Sequence, residues 1–216
     1  MNIYKTLSLA GVGGLGASGL GGYFLLRNQE NEIPYIKAGD TFKNRYSQAI
    51  LEEGSELWES KFNALRQGAE PTHPTLIKAK AQVTPKEQDA KDLHKQGCQE
   101  IYESELQNSP HFQDFKTYCA RNLKDGMGSS KSWITEDKSG TKWNAKLTSL
   151  KSHDEGSNQA LDSTLKNLKD SLPESNSSWD DNKREELKNW CDDAQKEIFM
   201  GEGDPWFVHA GLYCVE

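Results

Sequence analysis

The ten-residue pattern P-x-F-x5-Y-C occurs twice in this chain, at residues 110–119 and again at residues 205–214. A second pattern repeats in the same order, because W-x2-K-[FL]-x2-L begins at Trp58 and begins again at Trp143, 85 residues later. Each pattern is short, but their shared order along the chain indicates an internal duplication. We therefore expect the chain to fold as two divergent copies of one unit.

The two copies are expected to occupy residues 41–125 and 126–216, with a flexible join at 126–130. The offset between matching positions grows from 85 residues at the tryptophans to 95 at the P-x-F-x5-Y-C patterns, so the second copy carries extra residues, which we place at 173–178. The same alignment pairs Glu70 with Glu155, Leu76 with Leu161, and Glu100–Tyr102 with Glu197–Phe199.

Large apolar side chains recur with the period of an α-helix in both copies. Trp58 and Phe62 are four residues apart, as are Trp143 and Leu147, so each pair lies on one helix face. Trp190 belongs to a similar stripe later in the chain. We interpret Trp58, Phe62, Trp143 and Trp190 as structural core residues, because such stripes pack against neighbouring helices far more often than they bind ligands.

The same periodicity predicts a mainly α fold with minor β content. The predicted helices cover residues 43–67, 86–107, 111–124, 143–151, 158–172 and 180–200. Residues 132–143 alternate in polarity around a Lys-Ser-Gly turn and predict a hairpin, and residues 206–215 predict a short strand. His73 and His153 lie in segments that are predicted to be solvent-exposed loops.

Composition limits the class of partner. The chain has 26 basic and 33 acidic residues, and its net charge of −7 disfavours nucleic acid, whose phosphates need a concentrated basic surface. Leu, Ile, Val and Phe make up only 40 of the 216 residues, whereas six Trp and seven Tyr bury a large area each. We therefore expect a folded chain with a small hydrophobic core.

Residues 6–26 form an apolar segment without a charged side chain, flanked by one basic residue on each side. A helix of 21 residues, at about 1.5 Å per residue, spans the roughly 30 Å hydrocarbon core of a bilayer. We therefore expect residues 1–27 to form an uncleaved membrane anchor, followed by a tether at 28–40. A cleaved signal peptide is the alternative, with small residues at 17–19 as the cleavage site.

Small residues recur every four positions within the apolar segment, at Gly14, Ser18 and Gly22. This spacing puts them on one helix face, where the lack of bulky side chains lets two membrane helices approach closely. The anchor is therefore also a candidate site of self-association between copies of the chain.

Gly11, Gly13 and Gly16 match G-x-G-x-x-G, the phosphate-binding turn of dinucleotide-binding enzymes. In that alternative the N-terminal region is soluble and the chain is an enzyme. The context argues against it, because the residues after Gly16 are apolar on every side and no alternation of strands and helices follows.

Four cysteines stand at residues 98, 119, 191 and 214. The intervals of 21 and 23 residues are similar, so Cys98 with Cys119 and Cys191 with Cys214 is the disulfide pairing that agrees with the duplication. Each such disulfide contributes roughly 3 kcal/mol in the chain-entropy model. Four buried free thiols are the alternative, because disulfides persist only in an oxidising compartment.

No residue pattern in the sequence predicts catalysis. The close pairs C-x2-C and H-E-x-x-H, which mark many zinc sites, do not occur, and we expect no metal and no cofactor. Ser163 and Lys166 match S-x-x-K, but the companion motifs of that catalytic group are missing. We therefore expect a protein that is not an enzyme.

The layout of the chain resembles a known group of proteins. It combines the glycine-rich apolar segment LSLAGVGGLGASGLGGYFLL at 7–26, a polar helical body, the repeated W-x3-[FL]-x2-L pattern, and aromatic–cysteine pairs such as Tyr118–Cys119 and Trp190–Cys191. In these features it resembles the large uncharacterised paralogous surface-protein families of haemotropic mycoplasmas. The resemblance implies a surface-exposed protein of a wall-less, blood-cell-attached bacterium, involved in antigenic variation or host contact, and it carries over no catalytic residues.

The sequence therefore predicts a protein of the cell membrane whose helical body is extracellular and contacts a host or neighbouring surface protein. Its exposed loops, at 67–75 and 173–178, are free to vary. An intracellular structural protein on the inner face of the membrane is a further alternative, because Lys5 and Arg27 nearly balance the positive charge on the two sides of the apolar segment.

Overall fold

The computed structural model of the chain describes residues 39–84, 86–129, 131–174 and 179–216. The predicted anchor, the G-x-G-x-x-G pattern and nearly all of the predicted tether lie outside these residues. Within the described ranges, no helix is both long enough and apolar enough to cross a membrane.

The described part of the chain is mainly helical, which confirms the predicted fold class at that level. Its β structure consists of four isolated bridges, which pair Thr41 with Glu105, Ile50 with Ala120, Asn122 with Ile198, and Trp133 with Val215. A 3-10 helix covers Ser47–Ala49 and a π-helix covers Phe115–Cys119. The α-helices are α1 (Phe42–Arg45), α2 (Leu57–Gln67), α3 (Pro74–Ala81), α4 (Glu87–Glu103), α5 (Phe112–Asp114), α6 (Leu123–Met127), α7 (Lys142–Lys151), α8 (Ser163–Ser171), α9 (Asp181–Ala194) and α10 (Pro205–Tyr213).

Two hydrophobic cores organise these helices. Buried residues between Phe42 and Ala120 form the first core, which Ile198 joins from later in the chain. Buried residues between Leu123 and Cys214 form the second core. The apolar side chains are thus divided between two packing centres, and each centre is small.

We define residues 41–120 as the first half of the chain and residues 122–215 as the second half. Two backbone bridges close each half, one at its start and one at its end. Arg121 stands between the halves and its backbone binds both. Its N–H donates to the carbonyl of Ala49 at 2.8 Å, and its carbonyl accepts the N–H of Phe199 at 3.0 Å. The halves therefore follow each other directly.

Side-chain caps determine where several helices begin. Thr41 accepts the N–H of Asn44 at the start of α1 (3.2 Å), and Asn122 accepts the N–H of Asp125 at the start of α6 (2.8 Å). The carboxylate of Asp125 accepts the N–H of Asn122 in return, which completes a capping box. Helices α8, α9 and α10 are capped by Asp162, Asp180 and Asp204. Such caps satisfy N–H groups that the first turn of a helix leaves without a partner.

Two predicted helices are interrupted because the chain leaves the helix to form a bridge. The helix predicted at 43–67 is broken between α1 and α2, where Ile50 pairs with Ala120. The helix predicted at 111–124 stops at Cys119 for the same reason, and the chain becomes helical again only at α6. Bridge formation between distant segments thus overrides the local helical pattern.

Two predicted β elements are wrong. The segment predicted as a strand at 206–215 contains α10, which Asp204 caps and which has Pro205 in its first turn, where proline fits a helix. The segment predicted as a hairpin at 132–143 pairs at Trp133 with the residues that follow α10. The pairing is therefore between distant segments and not between neighbours.

The predicted alignment of the two copies needs correction near the end of α4. Tyr102 lies inside α4, whereas Phe199 lies beyond the end of α9, so these two residues do not occupy matching positions. Leu106 and Phe199 instead make similar backbone contacts. Each donates its N–H to the carbonyl just before the first bridge of its half, Leu106 to Asp40 at 2.8 Å and Phe199 to Arg121 at 3.0 Å.

Two further expectations about the copies are wrong. Leu76 lies inside α3, whereas Leu161 precedes α8, so these two residues do not occupy equivalent positions. Gly126 was expected in a flexible join but lies inside α6, where a side chain on it would collide with the ring of Phe199. The passage between the two cores falls at Arg121.

Candidate functional site

The four cysteines form two disulfides, one in each half, with the pairing that their spacing predicts. Cys98 on α4 is bonded to Cys119 at the end of the π-helix, and Cys191 on α9 is bonded to Cys214 just after α10. The Cα–Cα distances are 5.3 and 5.5 Å, as in ordinary disulfides. None of the four is more than 2% exposed. Each disulfide ties the end of its half to the longest helix of that half.

His94 lies one turn before Cys98 on α4 and is buried beside the first disulfide. Its Nε2 lies 2.8 Å from the carbonyl oxygen of Tyr118 and therefore donates a proton to it. The ring of Trp58 meets the imidazole edge-on, with 5.6 Å between the ring centroids. Burial lowers the pKa of His94, so this imidazole is neutral at neutral pH.

His94, Cys98 and Cys119 are the described residues that come closest to a set of metal ligands, with donor atoms within 4.8 Å of one another. The disulfide consumes both sulfurs, whereas a metal binds the thiolate. The Nε2 atom of His94 is already bonded to the carbonyl of Tyr118. In the oxidised protein this group therefore packs the first core and is not arranged to hold a metal.

His153 and His209 form a buried polar cluster in the second half, which no sequence pattern predicts. The carbonyl of Gln159 accepts a proton from Nε2 of both rings, at 3.0 and 3.1 Å. Because Nε2 of His153 carries the proton, its Nδ1 accepts the hydroxyl of Tyr213, 2.6 Å away. His153 is only 5% exposed, so the prediction that it lies in a solvated loop is wrong.

Burial favours the neutral forms of His209 and Tyr213. It lowers the pKa of His209 and raises the pKa of Tyr213 to about 12. Burial also raises the pKa of the nearby Asp162, whose carboxylate accepts the indole N–H of Trp190 at 3.0 Å. An imidazole and a phenol can exchange a proton, but His153 and Tyr213 both lie inside the core, where a substrate does not reach them. Their hydrogen bond instead holds α10 in place.

Asp114 is a buried carboxylate that binds the backbone of the segment just before α3. Its Oδ2 accepts the backbone N–H groups of Thr72 and His73, at 2.8 and 2.7 Å. The ring of His73 lies 4.8 Å from that of His111, and burial lowers the pKa of His73, so it is not the solvated loop residue that was expected. Asp114 lies 41 positions after His73, so the sequence around α3 does not predict this contact.

The four predicted stripe residues are all buried. Trp58 is 6% exposed, Phe62 is 1%, Trp143 is 0% and Trp190 is 5%. Trp58 and Phe62 pack in the first half, where the ring of each contacts the imidazole of His94. Trp190 stacks on Trp206 in the second half, with 5.4 Å between ring centroids. None of the four presents a ring face to solvent that could serve as a binding platform.

A cleft of about 680 Å³ lies between the two halves and is the candidate binding site. One wall comes from α2 and the π-helix, and the other from α6 and the end of α9. Its charged lining consists of three lysines and three carboxylates, namely Lys61, Lys116, Lys196, Asp125, Asp193 and Glu197. Clefts of this size between two packing units are common binding sites for small ligands.

Two ion pairs join the walls of this cleft. The Nζ atom of Lys61 lies 2.6 Å from Oδ2 of Asp125, and the Nζ atom of Lys116 lies 2.8 Å from Oε1 of Glu197. The four side chains are between 6% and 16% exposed. Ile198, the neighbour of Glu197, inserts into the first core. The charges of the cleft are thus engaged with one another, and they hold the two halves together.

The molecule thus consists of two small cores, each with its own disulfide, which meet at a polar cleft. The buried histidines of both cores are used for packing and hydrogen bonding, and the tryptophans are used to fill the cores. No protein-family model matches this sequence, and comparisons with curated proteins and with solved structures find no similar protein.

Proposed function

We propose that this chain is a membrane-anchored protein whose helical body lies outside the cytoplasm and binds another surface protein without catalysing a reaction. The observation that carries this proposal is the buried disulfide in each half. Disulfides persist in secreted and surface-exposed proteins and are rare in the reducing cytosol. A chain with two small cores also gains from them, because each loop closure contributes roughly 3 kcal/mol in the chain-entropy model.

We further propose that the body consists of two divergent copies of one unit. The order of the helices supports this, since α1 to α5 in the first half are followed by α6 to α10 in the second half, with similar lengths when α5 is counted together with the π-helix that continues it. The disulfides support it as well. In the first half, Cys98 lies on the fourth helix, α4, and Cys119 lies at the end of the π-helix that follows α5. In the second half, Cys191 lies on the fourth helix, α9, and Cys214 lies just after the fifth, α10.

Matching polar contacts add support for the duplication. Trp58 and Trp143 each donate the indole N–H to a backbone carbonyl in the segment before their own helix, at 2.8 and 3.1 Å. Lys80 on α3 donates to a carbonyl just after α2, and Lys169 on α8 donates to a carbonyl just after α7, both at 2.6 Å. Contacts of this kind are unlike general core packing, because each needs one particular side chain at one place.

The membrane anchor is proposed for residues 6–26, on the basis of their length and lack of charge. With the disulfides outside the cytoplasm, the chain after this segment is external. The body then stands on the tether at 28–40 and presents its polar surface to other molecules. This is the arrangement of a surface protein that makes contacts with a host cell or with neighbouring surface proteins.

The redox state of the four cysteines in the full chain, taken from its native cells, tests the external location. The protein is denatured with an alkylating reagent, with and without prior reduction, and its mass is measured. We expect no alkylation before reduction and four alkyl groups after it. Four alkylated cysteines without reduction indicate a reducing compartment and contradict the proposal.

Fractionation tests the anchor. The full chain and a variant that starts at residue 28 are compared after an alkaline wash of membranes, and we expect only the full chain to stay in the pellet. A full chain that is soluble without detergent contradicts the anchor and favours the dinucleotide-binding alternative. Protease added to intact cells separates a surface protein from an intracellular structural protein, because only an external body is cut.

A further inference from the structure

The first half binds the second half through the face that lines the cleft. The corresponding face of the second half is partly apolar. In the first half, Lys61 and Thr117 line the cleft that the second half covers. The residues that match them under the proposed duplication are Lys146 and Leu212. We call Lys146, Leu212 and the adjacent Lys131 the tail surface. Leu212 is 39% exposed, which is unusual for a large apolar side chain among the described residues.

Lys146 matches Lys61 in position but not in its partner. Lys61 is paired with a carboxylate, whereas no carboxylate of the described residues lies within the 4.0 Å of an ion pair from Nζ of Lys146. Lys146 donates instead to the carbonyl of Leu212, at 3.2 Å. Burial lowers the pKa of Lys146; the charge of the nearby Glu216 opposes this effect, and the charge of Lys131 adds to it. The tail surface therefore carries two lysines beside the carboxylate of Glu216 and is partly desolvated.

The start of the first half carries complementary groups. Asn44 lies three residues after the cap of α1, as Asp125 lies three residues after the cap of α6. Glu105 matches Ile198, because each is the bridge partner of the capping residue of its half. Together with Asp40, these residues form what we call the head surface, Asp40, Asn44 and Glu105. It carries two carboxylates, and Asn44 is the head residue that matches a residue of the cleft wall, Asp125.

We propose that copies of this chain associate head to tail, with the head surface of one copy on the tail surface of the next. Glu105 then approaches Lys131, and the side-chain oxygen of Asn44 accepts a hydrogen bond from Lys146. The contact brings together the same ends of the two halves that meet within one copy, with Glu105 at the position of the buried Ile198, and it covers Leu212. Because the two surfaces differ, the contact is heterologous and can extend along a line of copies.

Sedimentation of the full chain in detergent micelles tests this, over a range of protein concentrations at low and high salt. We expect oligomers that grow with concentration and dissociate in high salt, because the contact joins exposed charges. Lys146→Glu and Leu212→Asp are each expected to weaken the association about tenfold or more. Ile77→Asp is the matched control, since Ile77 is also 39% exposed but lies on α3 of the first half.

A charge reversal provides a second measurement. Glu105→Lys and Lys131→Glu are each expected to weaken the association of their own copies. Mixing the two variants is expected to restore it, because the basic head of one then meets the acidic tail of the other. If the mixed variants associate more strongly than either variant alone, the association uses this contact.

Three results overturn the proposal. The first is a chain that stays monomeric in low salt at every concentration, and the second is association that Lys146→Glu and Leu212→Asp leave unchanged. The third is association that resists salt and is lost in Gly14→Leu, which assigns it to the apolar N-terminal segment. The alkylation and protease tests do not depend on these outcomes, so a failure here is distinct from a failure of the proposed function.

Discussion

Lys61 in the first half and Asp125 in the second half form an ion pair in which Nζ and Oδ2 are 2.6 Å apart. The two side chains are 6% and 16% exposed, and Asp125 also closes the capping box of α6. A charge in such a place is costly when its partner is missing, because little water remains to solvate it. The first helix of the second half therefore depends on a side chain from the first half.

Removing one partner of this pair is expected to destabilise the protein. We expect Lys61→Ala to lower the free energy of unfolding by about 3 kcal/mol, because Asp125 is left desolvated and unpaired. Lys43→Ala is the control, since Lys43 and Glu103 form an exposed pair, at 56% and 65% exposure, that is worth at most about 1 kcal/mol. Urea unfolding of the full chain, followed by tryptophan fluorescence, measures both. If Lys61→Ala and Lys43→Ala lower the free energy of unfolding equally, burial does not make the Lys61–Asp125 pair more important than an exposed pair.

Each disulfide is expected to stabilise its own half. Replacing Cys98 and Cys119 by serine should lower the free energy of unfolding by about 3 kcal/mol, and so should replacing Cys191 and Cys214. The two losses should add, because the disulfides lie in different cores. Urea unfolding under non-reducing conditions measures each variant. An unfolding midpoint of the unaltered protein that does not move on reduction argues against both disulfides.

The buried histidines are expected to make the fold sensitive to acid. Burial lowers the pKa of His94 and of His209 from the usual 6.5, so the unfolded chain binds protons that the folded chain does not. Their contribution to stability is complete above pH 6.5 and is lost as the pH falls through the lowered folded-state values. The urea midpoint should therefore decrease below pH 6.5.

The variant His94→Gln/His209→Gln isolates this effect. Glutamine can still donate a hydrogen bond to the carbonyl that each ring contacts, but it does not titrate. We expect its urea midpoint to depend less on pH below 6.5 than that of the unaltered chain, each compared with its own value above that pH. An unchanged pH dependence assigns the acid sensitivity to other groups.

Gly126 packs too closely against Phe199 to accept a side chain. A Cβ atom on Gly126 would lie 2.5 Å from Cδ2 of the ring, so Gly126→Ala forces the ring or α6 to move. We expect a loss of about 1–3 kcal/mol, as for other overpacked cores. Gly54→Ala is the control, because nothing lies within 4 Å of its added Cβ, and it should change stability little. Thermal unfolding by circular dichroism compares the two, and similar values refute the proposed collision.

Features that depend on residues close in sequence were predictable. Trp143 and Leu147 lie four residues apart and share the buried face of α7, as helical periodicity requires. Cys98 and Cys119 are bonded as their spacing and the repeated pattern indicate. The shared helix face follows from a four-residue interval, and the disulfide pairing follows from the similarity of the 21- and 23-residue intervals between the cysteines.

Features that depend on a distant partner were not predictable. The N–H groups of Thr72 and His73, just before α3, are bound by Asp114, and His153 is drawn into the second core by the hydroxyl of Tyr213. Trp133 pairs with the segment after α10, where a local hairpin was predicted. No periodicity or motif near these residues reports a partner that lies tens of positions away.

By itself, the amino-acid sequence determined the helical periodicity, the side chains apolar enough to fill a core, and the cysteines spaced to be bonded. Only the tertiary structure decided that the chain passes between two cores at Arg121 and that Lys61 pairs with Asp125 across a cleft. The reason is physical: helical periodicity follows from the local geometry of the backbone, whereas the burial of a charge and the partner it then needs depend on which segments pack together.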